Sequence, residues 1–333
     1  MILKSRAFSL ALLLAIAVMA PGVLKAQDAQ PMSETPLGGA GGGAKTGGGG
    51  VTGIAPGDVG GTTTGTAGPE SATFDGTYIW VASQFTDSVT RIRVSDGLTA
   101  GTFTVGKRPV AVLAAAGSVW VANLLSDNVT KLNPTTGAVT ATYAAGDGPG
   151  GLAFDGTNLW IANREGNSVT KMSTTGANLG TFAVGNRPLG VAVVGGAVFV
   201  VNNFSNSVTK LSLAGVVLGK YAVGRGPFGV AGEGENVWVT NYFDKTVTKL
   251  RAADGLNLGT FKVGDGASGV TFDGTFMWVV SNGDNNVLKL APSTGSIVST
   301  YATGKGPFAV VYDGAKIWVP NFASNSISST AAN

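Results

Sequence analysis

The chain has 333 residues, 44% hydrophobic and only 12% charged, with 52 glycines, no cysteine and no histidine. Those totals suit a turn-rich all-β protein and exclude disulfides, thiol chemistry, histidine-based triads and the usual zinc sites. The formal charge of +3 resides in Lys4, Arg6 and Lys25, so past residue 26 the bases fall to 19, matching the 19 acids, and no general drive toward nucleic acid or anionic membranes is left.

Residues 1–26 read as a secretory signal: a basic start, "MILKSR", an apolar run from Ala7 to Ala20, and "PGVLKA" ending at Ala26. The run is short for a membrane span, and no later one approaches the ~20 residues of a spanning helix. The expectation is an exported, soluble product, periplasmic or secreted, acting as a monomer. Lipid attachment is ruled out because the chain has no cysteine. Residues 27–60, with "LGGAGGGAKTGGGG", hold few large apolar side chains and read as a disordered, flexible linker.

From Gly61 to Asn333 the sequence repeats itself. The phrase "GSVWVANLLSDNVTKL" from Gly117 returns as "TNLWIANREGNSVTKM" from Thr157, "ENVWVTNYFDKTVTKL" from Glu235 and in four further copies. All the tryptophans (Trp80, Trp120, Trp160, Trp238, Trp278 and Trp318) hold one position of the phrase, and Phe199 holds the remaining place. Successive members stand 40, 40, 39, 39, 40 and 40 residues apart, which defines seven units of one period.

Each unit offers four short β-type runs, as in "GGLAFDG", "NLWIAN", "SVTKM" and "NLGTFAV". Asp-Gly at Asp75, Asp155, Asp273 and Asp313 marks a hairpin whose two residues both tolerate positive φ, and Thr-Gly at Thr136, Thr175 and Thr294 marks a later turn. The second run is apolar on both faces, so both must be covered. Sheets stacked radially do this, giving a seven-bladed β-propeller of four-stranded antiparallel blades with the tryptophan as a wedge and almost no helix. The seventh unit stops after its third run, so the segment Gly61 to Ala67, "GTTTGTA", is expected to supply the missing strand and close the ring.

In such a blade the loops from second to third strand share a face with the turns from fourth to first. That face carries the candidate ligand-binding residues. Lys107, Arg108, Arg187, Arg225 and Lys305 lie in the turns, against Glu70, Asp147 and Asp265, and suit a small anion or a sugar acid. Phe204, Tyr242 and Phe243 lie in the loops, and Phe228 and Phe308 follow the "GP" pairs near the channel mouth. The competing structural reading has the aromatics covering blade ends and the bases balanced by Asp87, Asp127, Glu165, Asp244 and Asp284. The recurrent Asn123, Asn163, Asn202, Asn241 and Asn321 are expected to bond backbone in their own turns. No catalytic residue is assigned and no cofactor is expected, the alternative being a Ca²⁺ or Mg²⁺ ion on Asp147 or Asp265.

The stretch Val119 to Gly156, "VWVANLLSDNVTKLNPTTGAVTATYAAGDGPGGLAFDG", resembles the bacterial propeller repeat of the YVTN or YncE-like type, from Gly68 to the C-terminus. That resemblance implies a seven-bladed propeller, commonly exported, and specifies fold far more than function. More distantly the pattern is similar to streptogramin lyases, which open a lactone with a histidine base and Mg²⁺. No such histidine exists here, and the repeat reads "WVAN" rather than "WFTE". The expected function is therefore non-catalytic binding of a protein, glycan or small ligand through the loop face. The alternatives are a lyase-like or lactonase-like enzyme with a carboxylate-held metal, and a cell-surface structural module.

Overall fold

A computed structural model describes residues 67–332; the expected signal segment, the glycine-rich stretch and most of the expected closing strand lie outside the described residues. The described chain is a seven-bladed β-propeller. Six blades are four-stranded antiparallel sheets in sequential strand order, and the seventh has three described strands, Val311–Tyr312, Lys316–Asn321 and Ser326–Ala331.

Blade 3 shows how the repeat produces this form. Its strands are Pro149–Phe154, Asn158–Asn163, Ser168–Ser173 and Asn178–Ala183. The second is buried almost throughout because neighbouring sheets cover both its faces, whereas the fourth alternates exposed with half-buried residues and forms the rim. Among the described residues, helix is confined to one 3-10 turn, Asn203–Ser205.

The Asp-Gly hairpins differ from expectation. Gly156 takes a φ of 92°, but Asp155 stays out of the left-handed region. Its Oδ1 accepts the amides of Thr157 and Asn158, and its Oδ2 accepts the Trp160 indole N–H at 2.8 Å. Asp75, Asp273 and Asp313 hold their tryptophans in the same way, while the Glu233 carboxylate and the Ala115 carbonyl serve Trp238 and Trp120. The aspartate is thus chosen to seat the wedge as well as to turn the chain.

The wedges join the blades into a circle. Trp160 packs against Val191, Val198 and Val200 of blade 4. Corresponding clusters follow around the ring until Trp318 and Ile327 of blade 7 meet Ile79, Val81 and Ile92 of blade 1. A polar stitch accompanies the wedges of blades 1 to 6: Lys171 crosses the face of Trp160 at 5.5 Å and donates to the Leu213 carbonyl of blade 4 at 2.7 Å. Arg91, Lys131, Lys210, Lys249 and Lys289 make the equivalent bonds. A charge-assisted bond of this kind contributes about 1.5–3 kcal/mol.

Candidate functional site

Backbone bonds place the two loop sets on one face. The amide of Arg164, the residue after the second strand, donates to the Gly148 carbonyl at 2.8 Å, and Gln84, Leu124, Asn203, Tyr242, Asn282 and Phe322 do the same in their blades. The last loop residue takes a left-handed φ, and in every blade but the fifth, where it is Lys245, its side chain accepts the amide of the next turn. Asp87 holds Arg108, Asp127 holds Gly148, Asn167 holds Arg187, and Asn325 holds Gly68 across the junction of blades 7 and 1. Asp87 and Asp127 are therefore structural anchors as well as charges.

The recurrent asparagines also depart from expectation. Asn163 Nδ2 donates to Ser168 and Thr170 side chains at 2.9 Å each, and Asn123, Asn202, Asn241 and Asn321 repeat this pairing. Of these, Asn202 also accepts a backbone amide, that of Gly185. The side chain turns away from its own loop because two hydroxyls on the third strand are already in reach.

The first strands of all seven blades enclose a central cavity of about 290 Å³. Its shaft is apolar, lined by Ala72, Val112, Leu152, Val191, Val230 and Val310 among others. Small residues at the third position let these strands close in: a Cβ added to Gly151 would stand 2.0 Å from the Leu189 carbonyl oxygen.

Two sets of positions at the loop-face end vary from blade to blade within an otherwise regular repeat. One follows the turn proline or its equivalent: Glu70, Val110, Gly150, Leu189, Phe228, Ser268 and Phe308. The other is the residue after the second strand, from Gln84 round to Phe322. Charged groups, Glu70, Arg108, Arg164 and Arg187, gather on blades 1 to 4, and aromatic groups run from blade 5 through blade 7 to Phe85 of blade 1. Phe243, Tyr242, Phe228, Phe308, Phe322 and Phe85 form a continuous chain of ring contacts with centroids 5.3–6.3 Å apart. Asn203 and Asn282 brace it, donating to the carbonyls of Pro227 and Pro307 immediately before Phe228 and Phe308.

On the opposite arc Arg164 lines the cavity, with its side chain only 10% exposed and its Nη2 3.9 Å from Glu70. That separation is too long for a hydrogen bond, so the attraction is Coulombic. Arg164 Nε is sealed from solvent with no hydrogen-bond acceptor among the described residues, and the same is true of Arg187 Nε. Burial lowers the Arg164 pKa; Glu70 opposes that shift, and the neighbouring Arg187 and Arg108 deepen it. Burial likewise raises the Glu70 carboxyl, against the pull of Arg164 and Arg108. Arg108 is held by Gln84 at 2.7 Å, and Arg187 lies over the Phe204 ring at 4.7 Å. Like charges are thus crowded around one mouth, with a single buried carboxylate between them.

The backbone records a cost for two of these arginines. The residue before the turn proline or its equivalent is left-handed in every blade; five blades use glycine, but Arg108 and Arg187 sit there with φ of 55° and 52°. A left-handed residue other than glycine costs roughly 1–2 kcal/mol, partly offset by the greater chain entropy of glycine. Arg108→Gly and Arg187→Gly are each expected to leave the urea midpoint unchanged or slightly raised. A loss above about 2 kcal/mol would make these arginines structural rather than functional.

The candidates named from sequence divide. Phe228 and Phe308 line the cavity, Tyr242 and Phe243 continue their aromatic chain, and Arg108 and Arg187 stand beside Arg164 in the charged arc. Phe204 is exposed and touches the arc through Arg187. Lys107, Arg225 and Lys305 are exposed, the first two paired with Asp87 and Asp244 at 2.7 and 2.6 Å. Asp147 and Asp265 are also exposed, and Asp265 pairs with Lys245. Among the described residues no three acidic side chains stand close enough together to share a cation. Sequence reading did not select Arg164 or Gln84, and it counted Glu70 only as a rim acid. The available signal was that Arg164 and Gln84 occupy one variable position directly after the repeated second strand.

No family model matches the chain, and no curated protein matches it in sequence. Solved structures do match. Hydrazine synthase of Kuenenia stuttgartiensis is similar at 18% identity, over 81% of this chain and 97% of that one, with a TM-score of 0.71. A streptogramin B lyase is similar at 15% identity, over 79% and 93%, with a TM-score of 0.70. A virginiamycin B lyase from Staphylococcus aureus, solved with quinupristin, is similar at 16% identity, over 81% and 97%, with a TM-score of 0.72. The likeness is one of fold. At these identities it carries no activity across, and propellers host many unrelated functions.

Proposed function

We propose that this chain is an exported, non-catalytic propeller that binds a small ligand at the loop-face mouth of its central cavity. One observation carries the reading: the repeat keeps its wedge in all seven blades and its stitch and its anchor in six each, while the residues around the mouth differ and sort into a charged arc and an aromatic arc. A purely structural ring has no need of that asymmetry. Concave, largely apolar cavities with a few convergent polar groups are the usual form of small-molecule sites. The signal-like start supports export. The chain has no histidine, so a lyase reading that needs a histidine base has none to use.

Thermal-shift screening of a chemically mixed fragment library tests this. Wild type is expected to be stabilised by a subset of fragments, and the double variant Phe228→Ala/Phe308→Ala, measured against its own baseline, to lose those shifts. Hits that survive in the double variant would place binding elsewhere on the protein.

A further inference from the structure

The mouth has a chemical polarity that narrows its ligand, and this inference rests on the binding reading above. Arg164 reaches the cavity with a buried guanidinium whose Nε has no acceptor among the described residues. A mostly buried guanidinium short of acceptors is costly, and an anion in the cavity that accepts from its remaining N–H groups regains part of that energy. Room for the side chain is provided locally: blade 3 has Gly150 where other blades carry Glu70, Val110, Leu189, Phe228, Ser268 or Phe308, and a Cβ there would stand 3.1 Å from Arg164 Nε. Arg108 and Arg187 add positive potential from strained backbone positions. Within the mouth only Glu70 is a buried acid, and Glu165 is exposed to solvent screening.

Opposite this arc stand Phe228 and Phe308, with ring centroids 5.9 Å apart, and below both lies the apolar shaft. A ligand matching all three features has a charged planar head and a compact apolar body. The head suits a carboxylate, because guanidinium offers a planar fork of donors. The body suits one ring or a short alkyl chain, given a cavity of about 290 Å³.

We infer that the mouth takes a free monocarboxylic acid with a single aromatic ring or short alkyl chain, its carboxylate hydrogen-bonded to Arg164 and its body lying against Phe228 and Phe308 above the shaft. Arg108 and Arg187 act through their field, and Glu70 is the internal competitor that the ligand's carboxylate displaces from Arg164.

Calorimetric titration with two matched pairs, phenylacetate against phenylacetamide and hexanoate against hexanamide, separates charge from shape. At least one acid is expected to bind about tenfold or more tightly than its amide, with affinity falling as salt rises. Arg164→Gln is expected to abolish that preference, and Gly150→Ala to weaken it by displacing the guanidinium without removing it. Glu70→Gln is expected to strengthen acid binding several-fold. Melting curves of each variant confirm that it is folded. Amides binding as well as acids would overturn the carboxylate while leaving the mouth a binding site. Undiminished acid preference in folded Arg164→Gln would overturn the role of Arg164. No binding by either acid would overturn the ligand class, whereas loss of every fragment hit at the mouth would remove the underlying reading itself.

Discussion

Trp160→Ala is expected to lower unfolding free energy by about 3–5 kcal/mol, the range for removing a fully buried large aromatic side chain. Trp160 has no solvent exposure and packs across the junction of blades 3 and 4, where Phe182 joins the same cluster with ring centroids 5.9 Å apart. The substitution also strips Asp155 of its indole donor. Partial burial disfavours ionised Asp155, but hydrogen bonds from Asn158, the Trp160 indole and Thr157 outweigh it and hold the carboxyl below its ordinary value. Because the folded pKa is lowered, the stability Asp155 contributes is present above the unfolded value and is lost as pH falls through the lowered one. Blade 4 supplies an internal control, since Phe199 has no indole N–H and its hairpin has Gly195 and Gly196 in place of the carboxylate. Trp160→Phe should therefore cost much less than Trp160→Ala, mainly the lost bond at about 1 kcal/mol. Urea denaturation of both variants measures the difference, and equal losses would contradict the wedge.

Gly151→Ala is the second large effect, expected near 3 kcal/mol. The added methyl would lie 2.0 Å from the Leu189 carbonyl oxygen, where ordinary contacts run 3.4–4 Å, and the obstacle is the backbone of the next blade. Gly151 is not in the left-handed region, so the penalty is purely steric. Its neighbour provides the contrast: a methyl on Gly150 meets only the flexible end of Arg164 at 3.1 Å, so Gly150→Ala should cost under about 1 kcal/mol. Similar losses for the two would mean that the inner strands have slack this geometry denies.

The architecture was legible because it is repeated. Spacing of the tryptophans gave the blade number, and apolar runs on both faces required stacked sheets. What spacing could not give was partnership between side chains far apart in sequence. Lys171 and Leu213 are 42 residues apart, and nothing local in "SVTKM" announces that its lysine reaches the next blade. The asparagines mislead for a related reason: local habit favours backbone bonds, and the hydroxyls that win lie seven residues on, such as Thr170 for Asn163.

Candidate residues followed the same division. Turn position drew attention to Arg108, Arg187, Phe228 and Phe308, which stand at or beside the mouth. It also drew in Lys107 and Arg225, whose places one residue earlier in their turns leave them solvated and paired. Surface pairs of this kind contribute little, and their charge is largely screened. Arg164 escaped notice because one basic residue in a loop such as "NREGN" looks like ordinary solvated charge. Its burial depends on Gly150, fourteen positions earlier on a different strand.

The most direct test of the two-sided mouth is a crystal structure with phenylacetate. The account predicts density at the loop-face end of the central cavity, the carboxylate on Arg164 and the ring against Phe228 and Phe308. Density on the opposite face or at the outer rim, with the mouth empty, would contradict it.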